Sequence, residues 1–148
     1  MHTAWLNAAE QRRLNGFYAR CVRRILHIPP SFYSRETNKS VFGRAGVQPL
    51  SYQLLGWQLN YFAKLAREPT GNVLRNSVFE QNGYALRQHA CSRKQGRPRT
   101  AWATAVYKHA VAAAGGEQQF VQFLQNDAGS RKSWQTAVRR YCAELANN

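Results

Sequence analysis

Apolar residues recur at helical spacing from about Trp5 to Ile28. Leu14, Phe17, Cys21 and Ile25, accompanied by Tyr18, Val22 and Leu26, mark one face. Arg12, Arg13, Arg20, Arg23 and Arg24 lie beside or opposite it, so this helix has an apolar flank and a cationic one. Pro29 and Pro30 stop it, and a loop from Ser31 to Thr37 leads to Asn38, placed to cap a short helix through Val41 and Phe42 that Gly46 ends. Pro49 suits the first turn of the next helix. There Leu50, Leu54, Trp57, Tyr61 and Leu65 form a stripe, and Leu55, Leu59 and Phe62 widen it, which predicts deep burial. Pro69 to Gly71 end this helix, and Asn72 caps a shorter one carrying Val73, Leu74, Val78 and Phe79, closed by Asn82 and Gly83.

Periodicity then lapses. The stretch from Tyr84 to Arg99 reads as an extended basic connector. Thr100 caps an Ala-rich helix over Ala101 to Ala114, with Trp102 and Val106 on one face and Gly115 and Gly116 behind it. A short helix follows around Phe120, Val121 and Leu124. The last helix, from about Lys132 to Leu145, turns Trp134, Val138, Tyr141 and Leu145 inward. The pattern predicts an all-α protein, a small helical bundle in two parts (residues 1–83 and 100–148) joined by the connector 84–99.

Charge changes the picture from fold to function. The 148 residues carry 21 Lys and Arg against 7 Asp and Glu, a net charge of +14 that calls for an anionic partner. Sixteen of the basic residues are arginine, whose planar fork suits phosphates, base edges or buried ion pairs. The candidate contact residues are Arg12, Arg13, Arg20, Arg23, Arg24, Arg87, Arg93, Lys94, Arg97, Arg99, Arg139 and Arg140. No acid interrupts Gln81 to Gly116. Within that span Gly96-Arg97-Pro98-Arg99 has the form of an AT-hook core. General phosphate contact is the preferred reading of this run, ahead of a simple turn before Thr100 and of minor-groove reading.

The acids Glu10, Glu36, Glu68, Glu80, Glu117, Asp127 and Glu144 are scattered singly. Two-metal phosphoryl chemistry and glycoside hydrolysis both need clustered or facing carboxylates, so no catalysis is expected. No nucleophile elbow or phosphate-binding Gly-rich loop occurs. His89 with Cys91, and Cys21 with His27, fall short of the paired spacings of structural zinc, so neither metal nor cofactor is expected. Cys21 reads as a small buried hydrophobe, and the tryptophans Trp57, Trp102 and Trp134 as core. Three cysteines point to a reducing compartment, nuclear or organellar without distinction. Neither a transmembrane run nor a secretory signal is expected from the pattern. The Arg-rich first thirty residues are compatible with an organellar presequence, although a basic amphipathic helix explains them better.

The ordered motifs resemble a family. Phe17-Tyr18-Ala19-Arg20-Cys21-Val22-Arg23-Arg24-Ile25-Leu26-His27-Ile28 resembles the segment following the polymerase domain of LINE-type, non-LTR retrotransposon reverse transcriptases. There an aromatic precedes an Arg-Cys-Leu-Arg-like stretch ending in Ile-Leu-Gly-Ile. Asn38 and Val41 to Gly46 are similar to the family's next helix and its Arg-Ala-Gly end. Leu59 to Arg67 is similar to a Leu-Arg-Trp-Leu-Gly-His run, Gly96 to Trp102 to its Gly-Arg-Pro-Arg plus Trp signature, and Trp134, Ala137 and Arg140 to its closing residues. Ala63-Lys64 replaces the family's Gly-His, so no role of that histidine carries over.

The resemblance implies a noncatalytic element that helps hold template RNA or target DNA, either a remnant or a piece put to new use. The expectation is a nucleic-acid-binding module, RNA slightly preferred. The alternative is a structural subunit co-opted into a large assembly such as an organellar ribosome, with an anionic surface of that assembly as partner.

Overall fold

The computed structural model describes residues 5–81, 83–87, 102–125 and 127–147. Regular structure among these residues is entirely helical: α1 (Ala8–Ile25), α2 (Ser31–Ser34), α3 (Asn38–Ala45), α4 (Leu50–Arg67), α5 (Val73–Val78), α6 (Trp102–Ala114), α7 (Glu117–Phe123) and α8 (Ala128–Asn147). The protein is all-α, as its periodicity predicts. The chain forms two compact units, one of Leu6–Gly56 with Cys142–Asn148, the other of Met1–Trp5 with Trp57–Tyr141. These divisions differ from the expected parts, 1–83 and 100–148, because rings from α4 and from α6 to α8 share one core.

In the first unit Asn7 starts α1. Its side chain accepts from the Ala9 and Glu10 amides, and Glu10 returns a bond to the Asn7 amide at 2.7 Å. The helix is shorter than its apolar pattern, since this cap lies inside the pattern and His27 turns left-handed (φ 54) before Pro29. Ala19, Val22 and Ile28 pack on Val41 and Phe42 of α3, and Tyr18 stacks on Phe42 at 5.6 Å. The buried stripe is thus rotated by about one residue, roughly 100°, from the expected Leu14-Phe17-Cys21-Ile25 line. Phe17 and Ile25 are 57% and 74% exposed, and Cys21 is half-buried.

Arg23 requires a second correction. Sequence places it among the cationic contact residues, yet it is only 5% exposed. Its guanidinium donates to the Pro29 carbonyl and Ser34 Oγ, both at 3.2 Å, and to the Glu36 carbonyl at 2.6 Å. A desolvated cation is tolerated because its donors are satisfied, and the loop is tied to α1. That loop contains the unexpected one-turn helix α2. Thr37, rather than Asn38, caps α3 through the Ser40 amide, while Gly46 ends α3 with φ 64, as expected. Asn15 exchanges two hydrogen bonds with Ser51 (2.9 and 3.0 Å), satisfying an otherwise orphaned amide in the first turn of α4.

The second unit is built around Phe62. Its ring lies 5.0 Å from Phe79, 5.9 Å from Trp102 and 6.2 Å from Phe120, and Phe120 lies 5.4 Å from Trp134. Leu59, Val106, Leu124 and Val138 are fully buried in the same unit. Trp134 is buried as expected, Trp102 is half-buried, and Trp57 departs from expectation at 53% exposed.

Helix α5 stops at Val78, short of Asn82 and Gly83, because Phe79 turns extended and bridges Leu86. The reversal is held by Arg75, 4% exposed, which donates to the carbonyls of Ala66, Glu80 and Gly83 and lies 5.9 Å from the rings of Phe79 and Tyr84. The first connector residues, 84–87, are therefore tied down. Helix α8 begins at Ala128, before the expected Lys132, since Asp127 caps it by accepting from the Ser130 amide and hydroxyl.

His109 on α6 makes a 2.8 Å hydrogen bond with the Tyr141 hydroxyl and lies 5.4 Å from the Trp5 ring. Burial lowers its pKa below the ordinary 6.5. The unfolded chain therefore binds more protons between the folded and unfolded values, so this stabilisation is complete above about pH 6.5 and is lost as pH falls through the folded pKa. Denaturant midpoints measured from neutral to mildly acidic pH are expected to drop further for the natural protein than for His109→Gln.

Candidate nucleic-acid interface

Spacings of seven and four put Arg13, Arg20 and Arg24 on one face of α1, and all three are exposed. Phe17 lies among them. Pro29 and Pro30 turn the chain so that α2 presents Phe32 and Tyr33, 74% and 75% exposed, with ring centroids 4.3 Å apart. Two grooves meet here. One, of about 370 Å³, is lined by Phe17, Arg20, Cys21, Arg23, Arg24, Ile28 and Pro30. The other, of about 490 Å³, is lined by Arg13, Gly16, Arg20, Arg23, Pro30, Ser31, Phe32 and Asn38. Arg20, Arg23 and Pro30 line both, and of the two arginines only Arg20 is exposed.

Nearby acids are engaged elsewhere. Glu10 closes the α1 cap, and Glu36 holds Arg44 at 2.8 Å. Among the described residues no carboxylate lies within salt-bridge distance of Arg13, Arg20 or Arg24. Their potential is therefore directed outward, where salt screens it over roughly 8 Å at physiological strength.

The structure brings together only part of the expected set. Arg12 is exposed but sits one residue, about 100°, around α1 from the Arg13 line. Arg87, in the other unit, is exposed and donates to the Asn76 carbonyl at 3.0 Å. Arg139 and Arg140 are exposed on α8, where Arg140 lines a groove with Phe123, Lys132 and Thr136. Arg93, Lys94, Arg97 and Arg99 lie outside the described residues, as does the Thr100 cap. Phe32 and Tyr33 were missed by reading for helical stripes alone. The available signal was two adjacent aromatics just after Pro29 and Pro30, in a stretch with no apolar stripe to bury them.

Chemically the face offers guanidinium donors beside exposed rings. Among the described residues no three of His, Cys, Asp and Glu group as a metal site would require. Burial pushes the Cys142 thiol up to about 11, far from a reactive thiolate. No helix among the described residues is long and apolar enough to cross a membrane. Comparison of this chain with protein families, with characterised proteins and with solved structures finds no match to any of them.

Proposed function

We propose that the protein is a noncatalytic module that binds single-stranded nucleic acid, RNA in preference to DNA. The observation that carries this reading is the alternation of exposed Arg13, Arg20 and Arg24 with exposed Phe17 and the adjacent Phe32-Tyr33 pair. Arginines in such an array neutralise backbone phosphates while rings stack unpaired bases, and stacking is tolerant of sequence. The net charge of +14 adds long-range attraction. Arg12, Arg87, Arg93, Lys94, Arg97, Arg99, Arg139 and Arg140 supply further phosphate contacts in this reading.

A LINE-type reverse-transcriptase ancestry is consistent with it. The family's Ile-Leu-Gly-Ile glycine falls at His27, whose φ of 54 is a conformation in which glycine is at ease. A second reading, a structural subunit of a large assembly, is favoured by one observation: Val73 and Leu74 on α5 stand 81% and 59% exposed side by side.

The test is a salt titration of binding to a fluorescent single-stranded RNA. Each phosphate neutralised releases counterion, so log affinity is expected to fall linearly with log salt, by roughly 0.7 per contact. Affinity independent of salt, or absent at low salt, contradicts the proposal.

A further inference from the structure

In the Trp57–Tyr141 unit, α4 and α8 enclose a groove of about 490 Å³ whose lining includes Lys64, Arg67, Glu68, Arg131 and Trp134. Two of its residues carry buried donors with no acceptor among the described residues, the Arg67 Nε–H and the Trp134 indole Nε1–H. Trp134 is 1% exposed. A native structure rarely leaves such donors empty, and water or a ligand oxygen normally answers them. The charge around them favours an anion. Lys64, Arg67 and Arg131 stand against Glu68 alone in the lining, and Glu68 accepts from Asn72 Nδ2 at 3.3 Å. Asp127, outside the lining, caps α8 at Ser130 and acts on both Arg67 and Arg131, so three cations face two carboxylates and the balance stays positive.

We propose that this groove binds a phosphate-class oxyanion, with the Trp134 and Arg67 N–H groups as directional donors and Lys64 and Arg131 as supporting charge. Arg67 is already anchored, since its Nη2 donates to the Phe123 carbonyl at 2.7 Å. Burial, and then the charge of Arg131, lower the Arg67 pKa, a penalty that a bound anion reverses. The phosphate comes either from a small ester or from a nucleic-acid backbone. The groove is built by residues of a different unit from α1, and its reading does not rest on the function proposed above.

The indole N–H resonances of the full chain provide the test, with Trp134→Phe identifying the signal of Trp134. Titration with inorganic phosphate is expected to move that resonance saturably, while chloride at equal ionic strength leaves it in place. Replacing the two exposed cations together (Lys64→Gln with Arg131→Gln) is expected to weaken the effect about tenfold or more without unfolding the protein. A single-stranded oligonucleotide moving the resonance where inorganic phosphate does not would assign the site to backbone phosphate. The proposal is overturned by a resonance that neither reagent moves, or by equal titrations in the natural protein and the double variant. Loss of RNA binding at α1 leaves the inorganic-phosphate result unchanged, so the two accounts fail separately.

Discussion

Trp134→Ala is expected to destabilise the protein by about 3–5 kcal/mol, whereas Trp57→Ala is expected to cost less than about 1 kcal/mol. Trp134 is 1% exposed, with its ring 5.4 Å from Phe120 and 5.8 Å from Phe123. Truncation leaves a void among rings that are themselves anchored and unable to collapse into it. Trp57, at 53% exposed, leaves no enclosed cavity when shortened. Denaturant unfolding of both variants at one temperature checks the contrast. Equal losses would mean that the second unit does not have its core around Phe62, Phe120 and Trp134.

Those two tryptophans also show what the sequence makes legible. Both sit in apolar stripes at helical spacing, and the stripes correctly announce helices. Which side of a stripe is covered depends on which helix arrives, and spacing carries no information about that. In α1 the arrival of Val41 and Phe42 covers Ala19 and Val22, leaving Phe17 and Ile25 outside. Helix ends were legible where a single residue decides them, as at Gly46, Asn72 and Gly115. They were misplaced where a nonlocal bond decides, as in the early stop of α5, where Phe79 bridges Leu86. Arginine was the least legible type. Arg20, Arg23 and Arg24 are nearly consecutive, yet Arg23 alone turns inward, because three acceptors from the following loop converge on it. Arg75 does the same in the second unit, without any neighbouring sequence signal.

The second large effect concerns binding. Arg13→Gln, Arg20→Gln and Arg24→Gln combined are expected to lower affinity for single-stranded RNA by about a hundredfold or more, each lost charge-assisted contact contributing about 1.5–3 kcal/mol before compensation. Stability changes little, because exposed substitutions usually stay within about 0.5 kcal/mol each. Arg23→Gln is expected to behave in the opposite way: it leaves the Pro29 and Glu36 carbonyls short of donors, lowering stability while sparing affinity per folded molecule. The contrast matters because both variants remove positive charge from the same helix, three exposed charges in one and a single buried charge in the other.

The central claim is therefore tested most directly by fluorescence anisotropy of a labelled single-stranded RNA against the natural protein and the triple variant, with unfolding midpoints taken on the same samples. The account predicts a steep loss of affinity in the triple variant at an unchanged midpoint, with the salt slope shallower by about 2. Unchanged affinity and slope in a folded triple variant would contradict it, and would remove the exposed face of α1 from the binding of nucleic acid.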